Sequence, residues 1–309
     1  MTTGTAMKNK TAFSGILLID KPAGITSHDV VFKVRKLYGT REVGHTGTLD
    51  PMATGLLVVL VGRAVKASDL IVSDSKRYVA GLTLGITTDT EDVTGEVLTR
   101  SDRIPTEDEV KAVAKTFVGD ILQVPPMYSA LKVGGKKLVD LAREGKVIER
   151  EARPITVHSL SVLREDDTHY TLDVFCSKGT YIRTLCADIG SALSVGGAMH
   201  SLRRVASGAF SLDSAYTLEA LEDMSEEERI AILRPVEEVF SELPIHKLPA
   251  FYEKLLKNGC EIYQSKIGTS YPEGTRLRLV DKGGFYALAE VRSYPDGLAI
   301  KAIKRFDVN

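Results

Sequence analysis

The longest unbroken apolar run in the chain is Leu56–Val61, "LLVVLV", and it limits what the chain around it can become. Six residues fall far short of the roughly 20 that a membrane-spanning helix needs. The run reads instead as a buried strand. A second run, "GILLID" (15–20), is ended by Lys21, Pro22 and Gly24 and reads as another buried strand followed by a turn. Between them Val30, Val31, Val34, Leu37 and Tyr38 recur at helical spacing, with Ser27 as the N-cap and Gly39 closing the helix. Strand, turn, helix, loop and strand in succession predict an α/β core.

The same signals continue downstream. A short helix is expected near 64–72, "KRYVAGLTLG" (76–85) alternates as a strand, and "TTDTEDVTGEVL" reads as a polar hairpin connection returning through Val97 and Leu98. "TEDEVKAVAKTFVG" (106–119) is a helix with acids in its first turn and a glycine after its end. "YTLDVFCSKGTYIRTLCADIGSAL" begins as a strand and turns at Gly179 into a helix with the apolar stripe Ile182, Leu185, Cys186, Ile189 and Leu193. After a joint at Gly196 and Gly197, "HSLRRVASGAF" is a further strand, and "EALEDMSEEERIAILRPVEEVF" is helical and acidic. Pro244 and Pro249 bracket a linker. Beyond it come a short helix around Tyr252 to Leu256 and three strands, "TRLRLV", "YALAEVRS" and "LAIKAIKRF", separated by turns at Gly283, Gly284 and Gly297. A chain of 309 residues thus divides into one large α/β domain and one small β-rich domain.

Charge is segregated although the net charge is only -1. From His246 to Asn309 there are 11 Lys and Arg against 7 Asp and Glu, so the tail carries +4 and the rest of the chain -5. The stretch 123–154 is an excursion from the core, with Pro-Pro, Gly-Gly, one short helix and, from Lys132 to Arg153, 7 basic against 4 acidic residues. A solvated face explains such clusters as readily as a polyanion does. The cysteines Cys176, Cys186 and Cys260 are odd in number and lack CxxC spacing, which fits a reducing compartment, and Cys186 falls on a core stripe. Residues 1–14 lack the apolar stretch of a signal peptide and read as a disordered extension, so the expected location is the cytoplasm.

The segment "REVGHTGTLDPMATG" (41–55) has three glycines and sets Asp50 in the loop between a helix and a buried strand, its other acid, Glu42, lying at its start. Gly44 and Gly47 permit tight turns or a close approach to a ligand. The chain has no GxxxxGK[ST], HExxH, GxGxxG or GxSxG, and His45 and Asp50 lack helical metal-ligand spacing. What remains is an acid without metal, triad or phosphate loop, near Tyr78 on one strand and near Tyr181 and Arg183 at a strand-to-helix joint. A buried Arg183 would pair with a carboxylate, and the sequence does not say which.

"GHTGTLDPMATGLLVVLVGRAVK" (44–66), with "LLIDKPAGITSHDVV", "KRYVAGLTLGITTDTEDVTGEV", "VPPMYSALKVGGKKLVDLAREG", "SKGTYIRTLCADIG" and "HSLRRVASGAF", closely resembles the bacterial TruB-type tRNA pseudouridine-55 synthases over residues 15–215. The tail resembles that family's PUA-like RNA-binding domain. The resemblance implies a mixed, largely antiparallel sheet flanked by helices, a catalytic domain over 15–245 and a small PUA-like barrel over 246–309. It implies Asp50 as the essential residue, no cofactor, and the uridine of the TΨC arm of tRNA as substrate. By motif position Tyr78 resembles the tyrosine stacked on a flipped uracil, and Arg183 the arginine paired with the catalytic aspartate. Tyr181 and Leu202 resemble pocket walls, and His45 the residue that packs where the extruded base had been. Lys21 and Pro22 belong to a strand-turn read as mainly structural.

The excursion 123–154 resembles the family's thumb, which closes over the tRNA arm. A hydrolytic glycosidase usually needs a second carboxylate, whereas an isomerase must exclude water and retain its leaving base, so one acid in a tight loop suits the second task. Attack of Asp50 on C1′ and removal of the C2′ proton both stay open. The expectation is a monomer that acts on tRNA without guide RNA and without membrane contact. The rivals are a guide-RNA-dependent pseudouridine synthase and a non-catalytic RNA-binding module.

Overall fold

The computed structural model describes residues 13–71, 75–129 and 131–306. Along the chain run β1 (Gly15–Lys21), α1 (Ser27–Leu37), β2 (Val43–Thr46), β3 (Thr54–Val61), a 3-10 turn (Gly62–Ala67), β4 (Ser75–Leu84) and the hairpin β5 (Ile86–Thr88) and β6 (Val97–Arg100). Then come α2 (Glu107–Thr116), β7 (Gly119–Gln123), β8 (Lys132–Val133), β9 (Lys136–Lys137), α3 (Leu138–Arg143), β10 (Arg153–Arg164), β11 (His169–Ser177), α4 (Ile182–Ala192) and β12 (Gly197–Ser207). The remaining elements are β13 (Phe210–Ser211), α5 (Leu218–Asp223), α6 (Glu226–Ala231), β14 (Ile245–His246), α7 (Ala250–Lys257), β15 (Ile262–Tyr263), α8 (Gln264–Ile267), β16 (Arg276–Asp281), β17 (Gly284–Tyr294) and β18 (Gly297–Arg305).

One mixed sheet, in the order β1-β3-β12-β4-β11-β10-β7, carries the core, with β2 added beside β3 and β13 beside β12. β3 and β12 run parallel at Arg203–Thr54, and the other described junctions of this sheet are antiparallel. Leu57, Val59 and Val61 bury one face of β3 with α1 and α4, while Leu56, Val58 and Leu60 bury the other under Phe210, Val236 and Phe240. A strand apolar on both faces needs that double cover, since each fully buried Leu or Val contributes about 1.5–3 kcal/mol. All five residues of the 182–193 stripe are buried, so Cys186 is a core residue. Gly190 and Gly197 let α4 lie against β12: a Cβ on Gly190 would sit 2.1 Å from the Gly197 nitrogen.

Several boundaries differ from the sequence reading. Thr26, not Ser27, caps α1, through a capping box with Asp29 that satisfies two backbone N–H groups at once. The expected helix over 219–240 is interrupted where Met224 is extended and Ser225 starts a new capping box, giving α5 and α6. The helix expected to reach residue 72 ends as a 3-10 turn at Ala67, and residue 72 itself lies outside the described residues. Of the extension read over 1–14, residues 1–12 lie outside the described residues, whereas Ser14 belongs to the fold. Its hydroxyl accepts from the Ala64 N–H at 2.8 Å and donates to the Val61 carbonyl at 3.3 Å.

The C-terminal unit is an open five-stranded sheet, β14-β16-β17-β18-β15, curled into a half-barrel rather than closed. Its two outer strands have two residues each, too few to zip the edges together. The segment read as a linker is part of that sheet: Ile245 and His246 pair in parallel with β16, and Arg278 N–H donates to the Pro244 carbonyl at 2.9 Å. Leu288 and Phe306 join the same apolar cluster as Ile16, Leu18 and Leu56, so this unit covers the outer face of β1 and β3.

Candidate active site

The loop joining β2 to β3 is held from three sides. Its hydrophobic anchors, Leu49 and Ala53, are buried among the core residues beneath α1. Ser27 reaches across to it: its hydroxyl donates to the Leu49 carbonyl at 3.0 Å and accepts from the Leu49 N–H at 2.8 Å. Position 27 is therefore a loop clamp, a role that cap statistics alone do not distinguish from capping. From the turn after β1, the Lys21 ammonium donates to the carbonyls of Pro22 and Ile25, each at 2.8 Å, and of Pro51 at 3.3 Å. Lys21 is fully buried, and burial lowers its pKa against the opposing pull of the Asp50 charge.

The third clamp is Arg204, which the sequence reading did not single out. Consecutive strand residues point to opposite faces, so "RR" at 203–204 sends one arginine outward and one inward. Arg203 pairs with Asp20 at 2.7 Å. Arg204, 1% exposed, donates from Nε to the Leu56 carbonyl (2.7 Å), from Nη2 to Gly47 (3.0 Å) and from Nη1 to Thr48 (3.4 Å). Gly47 is left-handed (φ 76), which lets its carbonyl turn toward this guanidinium. At Gly55 (φ 96) a Cβ would meet the Arg204 carbonyl oxygen at 2.3 Å.

So held, Asp50 presents a carboxylate that is 37% exposed, with Oδ2 3.0 Å from Nε of Arg183. Arg183 itself is almost wholly enclosed. It sits in the first turn of α4 because the chain turns at Gly179 and Gln123 fixes the entry: the Gln123 amide donates to the Tyr181 carbonyl and accepts from the Tyr181 N–H. Its Nη1 donates to the Thr90 carbonyl (3.1 Å) and lies 3.5 Å from Asp92 Oδ2, and its Nη2 donates to the Tyr128 carbonyl (2.8 Å). One guanidinium thus joins the 43–55 loop, the β5–β6 hairpin and the excursion after β7. Asp92, also buried and not foreseen from the sequence, accepts from the Thr90 hydroxyl, the Thr94 N–H and the Thr94 hydroxyl, which fixes the direction of its carboxylate.

Tyr78, on β4, is 7% exposed and lies opposite Arg204 across the β4–β12 ladder. Burial raises its phenol pKa, and the Arg204 charge pulls it back. Tyr181, the residue before α4, is likewise raised by burial and is opposed by a hydrogen bond with Ser129. Both phenols feel the Asp50 charge. Leu202 is buried on β12, two residues from Arg204 on the strand beside Tyr78. His45 lies at the loop entry on β2, with Nδ1 enclosed and without a hydrogen-bond partner among the described residues. Burial, with the charges of Arg204 and His28, lowers its pKa. A half-open carboxylate against an enclosed arginine, with buried Tyr78 and half-buried Tyr181 close enough to feel its charge, is a cluster of polar groups partly withdrawn from water, where charge interactions are strengthened.

The chain is similar to known proteins over most of its length. Residues 35–182 match the model of the TruB family pseudouridylate synthase N-terminal domain, and residues 183–241 that of the tRNA pseudouridylate synthase B C-terminal domain. The two models meet within the first turn of α4, inside one continuous core. Over 284 residues the chain is 43% identical to the tRNA pseudouridine synthase B of Methylobacillus flagellatus, covering 92% of this chain and 93% of that one. It is 45% identical over 254 residues to that of Alkaliphilus oremlandii, covering 82% and 84%. Among solved structures it is similar to a chain of an H/ACA RNP bound to a substrate RNA containing 2′-deoxyuridine, with a TM-score of 0.69, 26% identity, and coverage of 95% and 85%.

Proposed function

The chain belongs to the TruB family of pseudouridylate synthases, and from that premise we propose that it isomerises uridine 55 in the TΨC loop of tRNA, with Asp50 as the catalytic carboxylate. It is an isomerase, a tRNA pseudouridine synthase. In the proposed reaction uracil is detached from ribose at N1, turned, and rejoined through C5, so atoms are conserved and no co-reactant is consumed. The uridine must leave the base stack to reach Asp50. The observation that carries the reading is the 3.0 Å contact between a half-exposed Asp50 and an enclosed Arg183. The arginine aims the carboxylate while one edge stays open to the ribose.

The other side chains take roles around that pair. Tyr78 stacks on the extruded uracil, Tyr181 and Leu202 wall the recess, and His45 packs into the space the base has left. The larger sheet and its helices form the catalytic domain, the excursion after β7 closes over the RNA arm, and the C-terminal unit, which begins at β14 and not at 246, forms a PUA-like RNA-binding domain. The exposed cations of the excursion and tail meet phosphates. The higher identity to the tRNA pseudouridine synthase B proteins than to the H/ACA chain favours action on tRNA without a guide, and a cytoplasmic monomer belongs to the same proposal. The test is incubation with unmodified tRNA transcript alone, followed by chemical mapping of pseudouridine. Product at uridine 55 is the expected result. Product elsewhere, or a requirement for added RNA or protein, would overturn it.

A further inference from the structure

The turn of the β5–β6 hairpin holds a residue that neither the motif reading nor the pocket description has used. Glu91 has a left-handed backbone, φ 64, and among the described residues Ser194 alone joins it as a non-glycine residue with positive φ. An L side chain adopts that conformation at a cost and keeps it only where its surroundings insist. Here they do. The Glu91 carbonyl accepts from the Met199 N–H at 3.0 Å, and the Met199 carbonyl accepts from the Val93 N–H at 3.0 Å, so both flanks of Asp92 are stitched to β12. The Glu91 side chain adds a second anchor, Oε2 accepting from the Thr184 hydroxyl at 2.5 Å.

Thr184 is the neighbour of Arg183 on α4, and Glu91 is the neighbour of Asp92. The hairpin therefore meets the helix through two adjacent rungs, Glu91 to Thr184 and Asp92 to Arg183, the second being the one that backs the Arg183–Asp50 contact. We propose that Glu91 is a positioning residue of this active site: its side-chain anchor holds the left-handed turn that aims Asp92, and through it Arg183, at Asp50. The inference rests on the reading of Asp50 as the reacting carboxylate. Among the described residues Glu91 bonds Thr184 and Met199 and not Asp50, and its charge acts on Arg183, so its influence runs through Arg183. Burial raises the Glu91 pKa, while the Thr184 hydroxyl and the Arg183 charge pull it back.

Three substitutions separate positioning from plain stabilisation. Glu91→Gln keeps an oxygen for the Thr184 hydroxyl, Glu91→Ala removes the anchor and leaves the backbone strained, and Glu91→Gly removes the anchor and the strain together. Single-turnover pseudouridine formation at saturating tRNA transcript, tRNA Kd and Tm are measured for each, with Asp50→Asn beside them. Rates of the Ala and Gly variants should fall by about tenfold, as displacement of a reacting group does. Their tRNA Kd should be unchanged, the Gln variant should retain most of the rate, and the Gly variant should melt above the Ala variant without recovering activity. A rate that follows Tm, with Gly faster than Ala, would reduce Glu91 to a stabilising residue. Wild-type rates in the Ala and Gly variants beside an inactive Asp50→Asn would overturn the role of Glu91 alone. Turnover by Asp50→Asn would overturn the reading beneath it.

Discussion

The loop that carries Asp50 and the excursion after β7 are built on opposite principles. In the first, Ser27, Lys21 and Arg204 hold the carbonyls of Leu49, Pro51, Gly47 and Thr48, so the backbone has almost no freedom around the carboxylate. In the second, two strands of two residues and one six-residue helix rest on a few buried side chains, Leu138 and Leu141 among them, while Val147 stands 84% exposed. Chemistry at a single atom rewards a fixed geometry, whereas gripping a large polyanion rewards a segment that opens at low cost. Arg183 is where they meet, since it bonds both Asp50 and the Tyr128 carbonyl.

The largest expected effect comes from attacking the fixed side at its tip. Asp50→Asn should lower single-turnover pseudouridine formation by 10²-fold or more, on the order of what a positioned acid or base supplies. Its tRNA affinity, measured by filter binding, should stay near that of the wild type. Next is the shared arginine. Arg183→Met leaves buried Asp92 without its cation, a loss on the order of 3–5 kcal/mol, so it should lower Tm and the rate together. If only the rate moved, Asp92 would have found another partner.

Arg204→Met tests whether the clamp matters as much as the acid it holds. Three carbonyls lose a charged donor, each such bond being worth about 1.5–3 kcal/mol, and denaturant melts should show it. Tyr78→Phe and Tyr78→Leu probe the recess beside that clamp. Stacking is worth about 1–3 kcal/mol per base, so Leu should weaken binding of the flipped nucleotide and Phe should not. Slow turnover by Phe with normal binding would assign work to the hydroxyl. The smallest effect belongs to the open side: Ala at exposed Lys136 or Lys146 should flatten the dependence of log Kd on log salt by roughly one unit each, with the saturated rate unchanged. A changed saturated rate would mean that the excursion takes part in the chemistry.

The C-terminal unit is packed onto the rest of the chain and not merely joined to it by a linker. Arg278 donates to the carbonyls of Leu243 and Ser241 and pairs with Glu237 at 3.1 Å, and Phe306 packs with Phe240. Truncation after Ile245 would strip cover from the outer face of β1 and β3. The tail's strand pattern was legible from Arg276 to Arg305, but its docking was not. Docking depends on which apolar faces are left over once both sheets have formed.

What the sequence determined by itself were the features written within a few residues of one another. The acids in the first turn of α2, the stripe on α4, the strand at 56–61 and the tight loop around Asp50 all follow from local propensity and spacing. The family resemblance came from motifs of the same short range. Tertiary structure decided what distance in the chain conceals: that Arg183 takes Asp50 and Asp92 as its partners, that Arg204 rather than Arg203 turns inward, and that Glu91 is held left-handed beside Asp92. Each of these depends on strand order and register, here the placing of β12 between β3 and β4. A one-residue slip in such a ladder would exchange every inward side chain for an outward one, and no local signal records which register wins.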